Sequence, residues 1–232
     1  MDDSSRIWRD RILPGATGAF MVAAIAMVFL VVPSEREQGV VQRIFYFHVA
    51  TAWICFAGFA IVAGASIRFL MTGSEGADRL AHASAEVSLL YTTLVLVVGP
   101  IWARPIWGVW WTWDPRLTMT VVLWTIYAAY LMLRRLGADD DAVRRYAAVL
   151  GVVGSLTIPF LFLAIRLWRG IHPAVMIAKD PDAGLKDPMM GWTLLVANVA
   201  LALLFAWLVW LRTRLIRIDE QVAALALERA RA

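Results

Sequence analysis

Cysteine and charge are both scarce in this sequence of 232 residues. Cys55 is the only cysteine, so the chain can form no internal disulfide and contains neither a CxxC redox pair nor a CxxCH haem-attachment motif. The phosphate-binding pattern GxxxxGK[ST] is also missing, which argues against ATP hydrolysis by this chain. Charged residues make up 17% of the sequence, whereas a soluble domain has about a quarter. A soluble redox protein, a disulfide-stabilised protein and a P-loop ATPase are therefore disfavoured.

Apolar residues are present in excess, at 61% of the chain with a mean hydropathy of +0.68. A helix needs about 20 apolar residues to cross a hydrocarbon core about 30 Å thick. Six runs meet this requirement, at residues 16–32, 49–71, 86–102, 118–133, 146–167 and 192–211. Backbone groups in lipid must be hydrogen-bonded internally, so each run is predicted to be a helix. The sequence therefore predicts an all-α integral membrane protein with six transmembrane helices.

The lysines and arginines orient these spans. Fourteen of the 22 fall in the terminal and even-numbered connecting segments, which favours cytoplasmic termini by the positive-inside rule. The outer loops are then residues 33–48, 103–117 and 168–191, and the charges of the inner loop RRLGADDDAVRR are expected to be solvated helix ends. We assign residues 1–215 to a six-helix membrane domain carrying the loop 103–118, and residues 216–232 to a cytoplasmic amphipathic tail at the membrane surface or on a partner. A solvated, frayed tail is the alternative.

The chain has three histidines. His48 lies at the start of the second span and His172 just after the fifth, so both are predicted on the outer side at similar depth. Two such imidazoles can supply both axial ligands of a haem iron, whereas two ligands without a nearby cysteine make a poor zinc site. Interfacial histidines bonded to headgroups or backbone are the alternative. His82 lies in an inner segment and is expected to be a solvated loop histidine.

The stretch WGVWWTWDPRLT, residues 107–118, contains more indole surface than an interfacial aromatic belt requires. Large aromatic rings suit a planar ligand, and four are available: Trp107, Trp110, Trp111 and Trp113. Gly108 allows the backbone to approach such a ligand, and Arg116 or Arg104 can pair with a propionate of a porphyrin. Asp114 followed by Pro115 also fits the cap of the fourth span, so a purely structural role for Asp114 stays open.

With its outer histidines and six spans, the pattern W-G-x-W-W-x-W-D-x-R-L-T resembles the WWD family of haem-handling proteins, and within it the CcmC-like cytochrome c maturation proteins. The resemblance extends from the first span to the sixth. It implies that haem b binds on the periplasmic side of the bacterial inner membrane and is delivered to the haem chaperone CcmE. The implied partners are the ABC transporter subunits CcmA and CcmB and the small membrane protein CcmD. ATP hydrolysis would belong to a partner subunit, so this chain is expected not to be an enzyme.

The resemblance also implies which residues hold the haem. His48 and His172 match the axial ligands of the iron, and the signature supplies Trp107, Gly108, Trp110, Trp111, Trp113, Asp114 and Arg116. Ala50 stands where the family often has proline. A haem ligase related to CcsA or CcmF is the alternative, but those chains have more spans and further histidines inside them. A b-type electron-transfer subunit would need histidine pairs within facing helices, and a channel would need polar or broken spans.

Overall fold

The computed structural model describes residues 8–137, 140–167 and 187–231, and within these ranges it contains helices and no β-strand. Turns of π-helix at Trp8–Ile12 and Met27–Val31 flank the first helix, and a 3-10 turn at Val40–Gln42 precedes the second. The helices are α1 Leu13–Ala26, α2 Arg43–Thr72, α3 Glu75–Trp107, α4 Pro115–Leu136, α5 Asp141–Ser155, α6 Thr157–Leu167 and α7 Pro188–Arg231.

Six helical segments of the described chain are long and apolar enough to cross a membrane. The first is Asp10–Val31, which combines α1 with its flanking turns, and the fifth is Asp141–Leu163, which combines α5 with most of α6. The other four correspond to α2 with its preceding turn, α3, α4 and α7. The predicted all-α fold with six transmembrane helices is therefore confirmed.

The third span is much longer than the sequence suggested. It was predicted over residues 86–102, but α3 begins at Glu75, and the inner segment that was expected to be a loop forms its first turns. Ser74 caps the helix by accepting a hydrogen bond from the N–H of Ala77 at 3.4 Å. Ala77, Ala81 and Ala85 recur every four residues and are all buried, which continues one packed face into the apolar part of the span.

The last helix runs without interruption from the sixth span into the C-terminal segment, because α7 ends only at Arg231. The proposed boundary at residue 215 falls inside this helix. Beyond the membrane part, the Nε of Arg79 on α3 lies 2.8 Å from Oε2 of Glu220, which ties the extension to the bundle. Val222 and Leu225, further along, are exposed.

Helix α2 lies at the centre of the bundle, where it packs along α3 and also contacts α5 and α7. One buried core joins α1, α2, α3 and α7, and a second joins α2, α3, α4 and α5. Two buried tyrosine hydroxyls bond to backbone carbonyls of other helices. Tyr91 donates to Leu201 at 3.0 Å and Tyr127 donates to Gly151 at 2.8 Å. These bonds satisfy polar groups that lipid could not.

The charges between the fourth and fifth spans are not all solvated, and that expectation is wrong for Arg134 and Arg144. Arg134 donates to both carboxylate oxygens of Asp78, at 2.6 and 2.7 Å, and Arg144 donates to one of them at 3.0 Å. Asp78 is only 2% exposed. The arginines turn inward because α3 presents a buried carboxylate to them across the ends of α4 and α5.

The expectation for His82 is also wrong, because this residue lies on α3 with only 18% of its side chain exposed. Its Nε2 is 3.3 Å from Oε1 of Glu86, one helical turn further on. Glu86 also accepts hydrogen bonds from the guanidinium of Arg212 on α7. His82 is therefore part of a polar contact between the third and sixth spans.

The two ends of the bundle differ. Asp10, near the start of the described chain, lies 3.9 Å from Arg214 of α7 at the end that holds the Asp78 and Glu86 ion pairs. The tryptophan-rich loop, residues 108–114, lies at the opposite end, because consecutive spans alternate in direction. The start of α2, which carries His48, and the end of α3 lie there too. Apart from Glu86, which begins the predicted third span, these ion-paired charges come from segments that the sequence assigned to one side.

Candidate functional site

His48 lies in the second turn of α2 and is almost enclosed, with 7% of its surface exposed. Its Nδ1 atom is buried and has no hydrogen-bond partner among the described residues. The imidazole packs against α3, where the ring of Trp102 lies 5.6 Å away between centroids. An ionisable side chain in a membrane span is costly and usually functional, so the enclosed position fits a ligand-binding histidine.

Arg116, the second residue of α4, lies at the same end of the bundle as His48. Its Nε atom is buried and lacks a hydrogen-bond partner in the described part of the chain. Arg104 differs, because it is exposed and its Nη1 donates to the carbonyl of Gly108 at 2.6 Å. A partly buried guanidinium that bonds to no carboxylate among the described residues is well suited to an anionic ligand group, so Arg116 is the stronger candidate for a propionate.

The tryptophan-rich loop is fixed at both ends by helix caps. Gly108 ends α3 in the left-handed region, with φ of +75°, and its N–H donates to the carbonyl of Arg104 at 3.0 Å. Asp114 caps α4 by accepting from the N–H of Leu117 at 3.0 Å, and it also accepts from the hydroxyl of Thr112 at 3.2 Å. The cap that the sequence offered as a structural role for Asp114 is therefore present. The conformation alone explains glycine at position 108.

The four signature tryptophans divide into two pairs. Trp110 and Trp113 are exposed, at 59% and 75%, whereas Trp107 and Trp111 are partly buried. The ring of Trp107 lies 6.3 Å from that of Trp102, and the rings of Trp111 and Trp113 meet edge to face at 5.6 Å. Ring contacts therefore connect the loop to His48 through Trp102, while two large indole faces stay open to a ligand.

The site also has unused hydrogen-bond donors. The indole N–H groups of Trp102 and Trp111 and the Nε of Arg116 are buried without a partner within the described ranges. Each such group costs about 1–3 kcal/mol when it is left unsatisfied. Donors of this kind, at the same end of the bundle as His48 and two exposed indoles, fit a large flat ligand that carries carboxylates. The residues present thus fit a porphyrin.

Ring contacts bring together His48, Trp102 and Trp107, and Arg116 lies at the same end of the bundle. His172 lies outside the described residues, and so does its predicted pairing with His48. Trp102 was missed by sequence reasoning, although its place between His48 and the loop follows from its position one to two turns before Trp107 on the same helix. Among the described residues, no group of three or more His, Cys, Asp or Glu side chains is placed to hold a metal ion.

Comparison with known proteins places this chain in a family. The sequence profile of the family described as Heme exporter protein C matches residues 5–228, nearly the whole chain. The chain belongs to the haem exporter protein C family. A haem exporter protein C from Bradyrhizobium diazoefficiens is 30% identical over 200 residues, which cover 85% of this chain and 76% of the relative.

Two further members of the haem exporter protein C family show similar agreement. The protein from Rhodobacter capsulatus is 29% identical and covers 88% of this chain and 86% of its own length. The protein from Haemophilus influenzae is 29% identical and covers 79% of this chain and 74% of its own length. The family is one of haem export in cytochrome c biogenesis, and its multi-pass membrane character agrees with the six spans.

Proposed function

We propose that this chain binds haem b at the periplasmic face of the inner membrane and delivers it to the haem chaperone CcmE for the maturation of c-type cytochromes. It acts as a transfer protein in an ABC-type haem exporter complex, with CcmA, CcmB and CcmD as the other subunits. ATP hydrolysis belongs to the transporter subunits, and this chain supplies the haem site.

The observation that carries the proposal is the surroundings of His48. Its imidazole is enclosed at one end of the bundle beside Trp102, and the tryptophan-rich loop adjoins Trp102. His48 and His172 are the proposed axial ligands of the iron. Odd-numbered connecting segments of a six-span chain share one side of the membrane, so the segment carrying His172 is expected at this same end.

The proposed roles differ along the loop. Trp110 and Trp113 offer exposed rings that can stack on the porphyrin, and Arg116 neutralises a propionate. Gly108 and Asp114 hold the loop ends, so they act on the haem through the position of the indoles. Because these two indoles are exposed at the end of the bundle, one edge of a bound haem would stay accessible. Transfer to an acceptor protein requires such access.

Absorption spectra of the purified full-length protein test the axial ligands. The wild type is expected to bind added haem with a six-coordinate, low-spin spectrum, because two imidazoles saturate the iron. His48→Ala and His172→Ala should each lose haem or shift to a five-coordinate spectrum. His82→Ala is the matched control, since His82 lies at the opposite end of the bundle beside Glu86. Unchanged spectra in both ligand variants would remove the two histidines from the site.

A further inference from the structure

Helix α3 approaches the ring of His48 closely at Gly99. A Cβ atom placed on Gly99 would lie 3.2 Å from Cε1 and 4.0 Å from Nδ1 of the imidazole. The first distance is shorter than an ordinary van der Waals contact between carbon atoms. The imidazole therefore rests against the backbone of α3 in a notch at Gly99, and a side chain there would press on the ring.

Trp102 packs against the same imidazole from the next turn of α3. It lies three residues after Gly99, so both project from neighbouring turns on one face of α3. Its ring is inclined at 55° to the imidazole. The indole is itself buried and held by Phe45, at 5.9 Å between ring centroids, and by Trp107 at 6.3 Å. Trp102 therefore has a fixed position against the imidazole of His48.

Packing contacts, and not a hydrogen bond, orient the ring of His48 within the described part of the chain. In a metal-binding histidine, the N–H of the second ring nitrogen commonly donates a hydrogen bond to a carboxylate or carbonyl, which fixes the plane of the ring. In His48 that nitrogen, Nδ1, is buried next to Gly99 and has no such partner in the described part of the chain. Packing against Gly99 and Trp102 therefore holds this imidazole in one orientation.

We propose that Gly99 and Trp102 are positioning residues that set the plane of the His48 imidazole, so that Nε2 is directed at the haem iron. This inference rests on the proposed function, because it takes His48 to be an axial ligand. An added methyl group at position 99 would displace the ring by a few tenths of an ångström or rotate it. The iron–imidazole bond would weaken although His48 is still present.

Haem titration of the full-length protein, followed by absorption and electron paramagnetic resonance, tests the notch. Gly99→Ala is expected to weaken ferric haem binding by about tenfold or more, the usual effect of losing support around a metal ligand, and to convert part of the low-spin signal to high-spin. The matched control is Gly64→Ala on α2, because a Cβ there meets nothing within 4 Å. This control should bind haem as the wild type does.

A double-mutant cycle separates positioning from a general effect on the fold. In a His48→Ala background, adding Gly99→Ala should cause no further loss of haem, because the ligand on which Gly99 acts is already gone. An equal further loss would overturn the positioning role. So would an unchanged affinity and spin state in Gly99→Ala alone, provided that His48→Ala loses the ligand. If His48→Ala also behaves as wild type, the proposed function fails together with this inference.

Discussion

At the scale of single residues, the two caps of the tryptophan-rich loop use different chemistry. Gly108 supplies a backbone conformation that side chains disfavour, and Asp114 supplies a carboxylate that accepts two hydrogen bonds. Neither residue has to touch haem to be essential, because each fixes one end of a loop of seven residues, 108–114, that carries three indoles. A side-chain amide can replace the capping carboxylate, whereas it cannot replace a negative charge.

This distinction gives a test at position 114. Asp114→Asn should keep both the thermal stability and the haem affinity of the wild type, because asparagine caps helices as well as aspartate does. Asp114→Ala should lose about 1 kcal/mol of stability and bind haem more weakly. Thermal unfolding in detergent and haem titration measure the two effects. Haem loss in the asparagine variant at unchanged stability would instead assign a direct role to the charge.

At the scale of elements, one buried carboxylate joins three helices. Asp78 on α3 is bonded to Arg134 on α4 and Arg144 on α5, and Arg144 also lies 5.4 Å from the ring of Phe69 on α2. The bonded partners are 56 and 66 residues away in sequence. Such a pair does little for stability compared with apolar packing, yet removing one partner leaves an uncompensated charge.

We therefore expect Asp78→Asn to destabilise the protein by about 3–5 kcal/mol, which should appear as low yield and early thermal unfolding. Asp141→Asn is the matched control, because Asp141 is exposed and its contact with Arg144 is 3.5 Å long, and its effect should stay within about 0.5 kcal/mol. The double variant Asp78→Asn with Arg134→Gln should be less harmful than the sum of the single changes. Additive losses would show that the pair is not coupled.

At the scale of the whole molecule, the charges that pair with one another lie at one end and the candidate haem site lies at the other. The orientation predicted from the arginines places the paired end in the cytoplasm. The first connecting segment, with Glu37, should then face the periplasm, and the extension of α7, with Glu228, should face the cytoplasm.

Cysteine labelling in intact cells measures this orientation, and the chain is suited to it because its natural Cys55 is buried. A membrane-impermeant maleimide should label Glu37→Cys directly. Glu228→Cys should react only after the cells are permeabilised. Both carboxylates are exposed, so burial does not separate them. The reverse pattern of labelling would invert the bundle and place the site of His48 on the cytoplasmic side.

The number and type of spans could be predicted from the sequence because hydropathy alone determines which segments enter lipid. The start of α3 could not be predicted in this way, since its first turns carry charge and small residues, although the alanines spaced four apart were a usable signal. The role of Asp78 had no local signal, because its partners lie in other helices. The signature supplied the tryptophans and the position at a span end supplied His48, but the notch at Gly99 depends on how closely two helices approach.

Helix α7 has 44 residues, which corresponds to about 66 Å at 1.5 Å per residue, and after Gly191 it contains neither glycine nor proline. It starts immediately beyond the segment that carries His172 and ends past the opposite face of the bundle. Sharp kinks in helices occur mostly at proline or glycine, so the sequence gives this stretch no such cause of a kink. Arg212 contacts Glu86 near the middle of this helix. Glu220 contacts Arg79 closer to its C-terminal end. One unbroken helix therefore joins the end of the bundle that holds the ion pairs to the end that holds the candidate haem site.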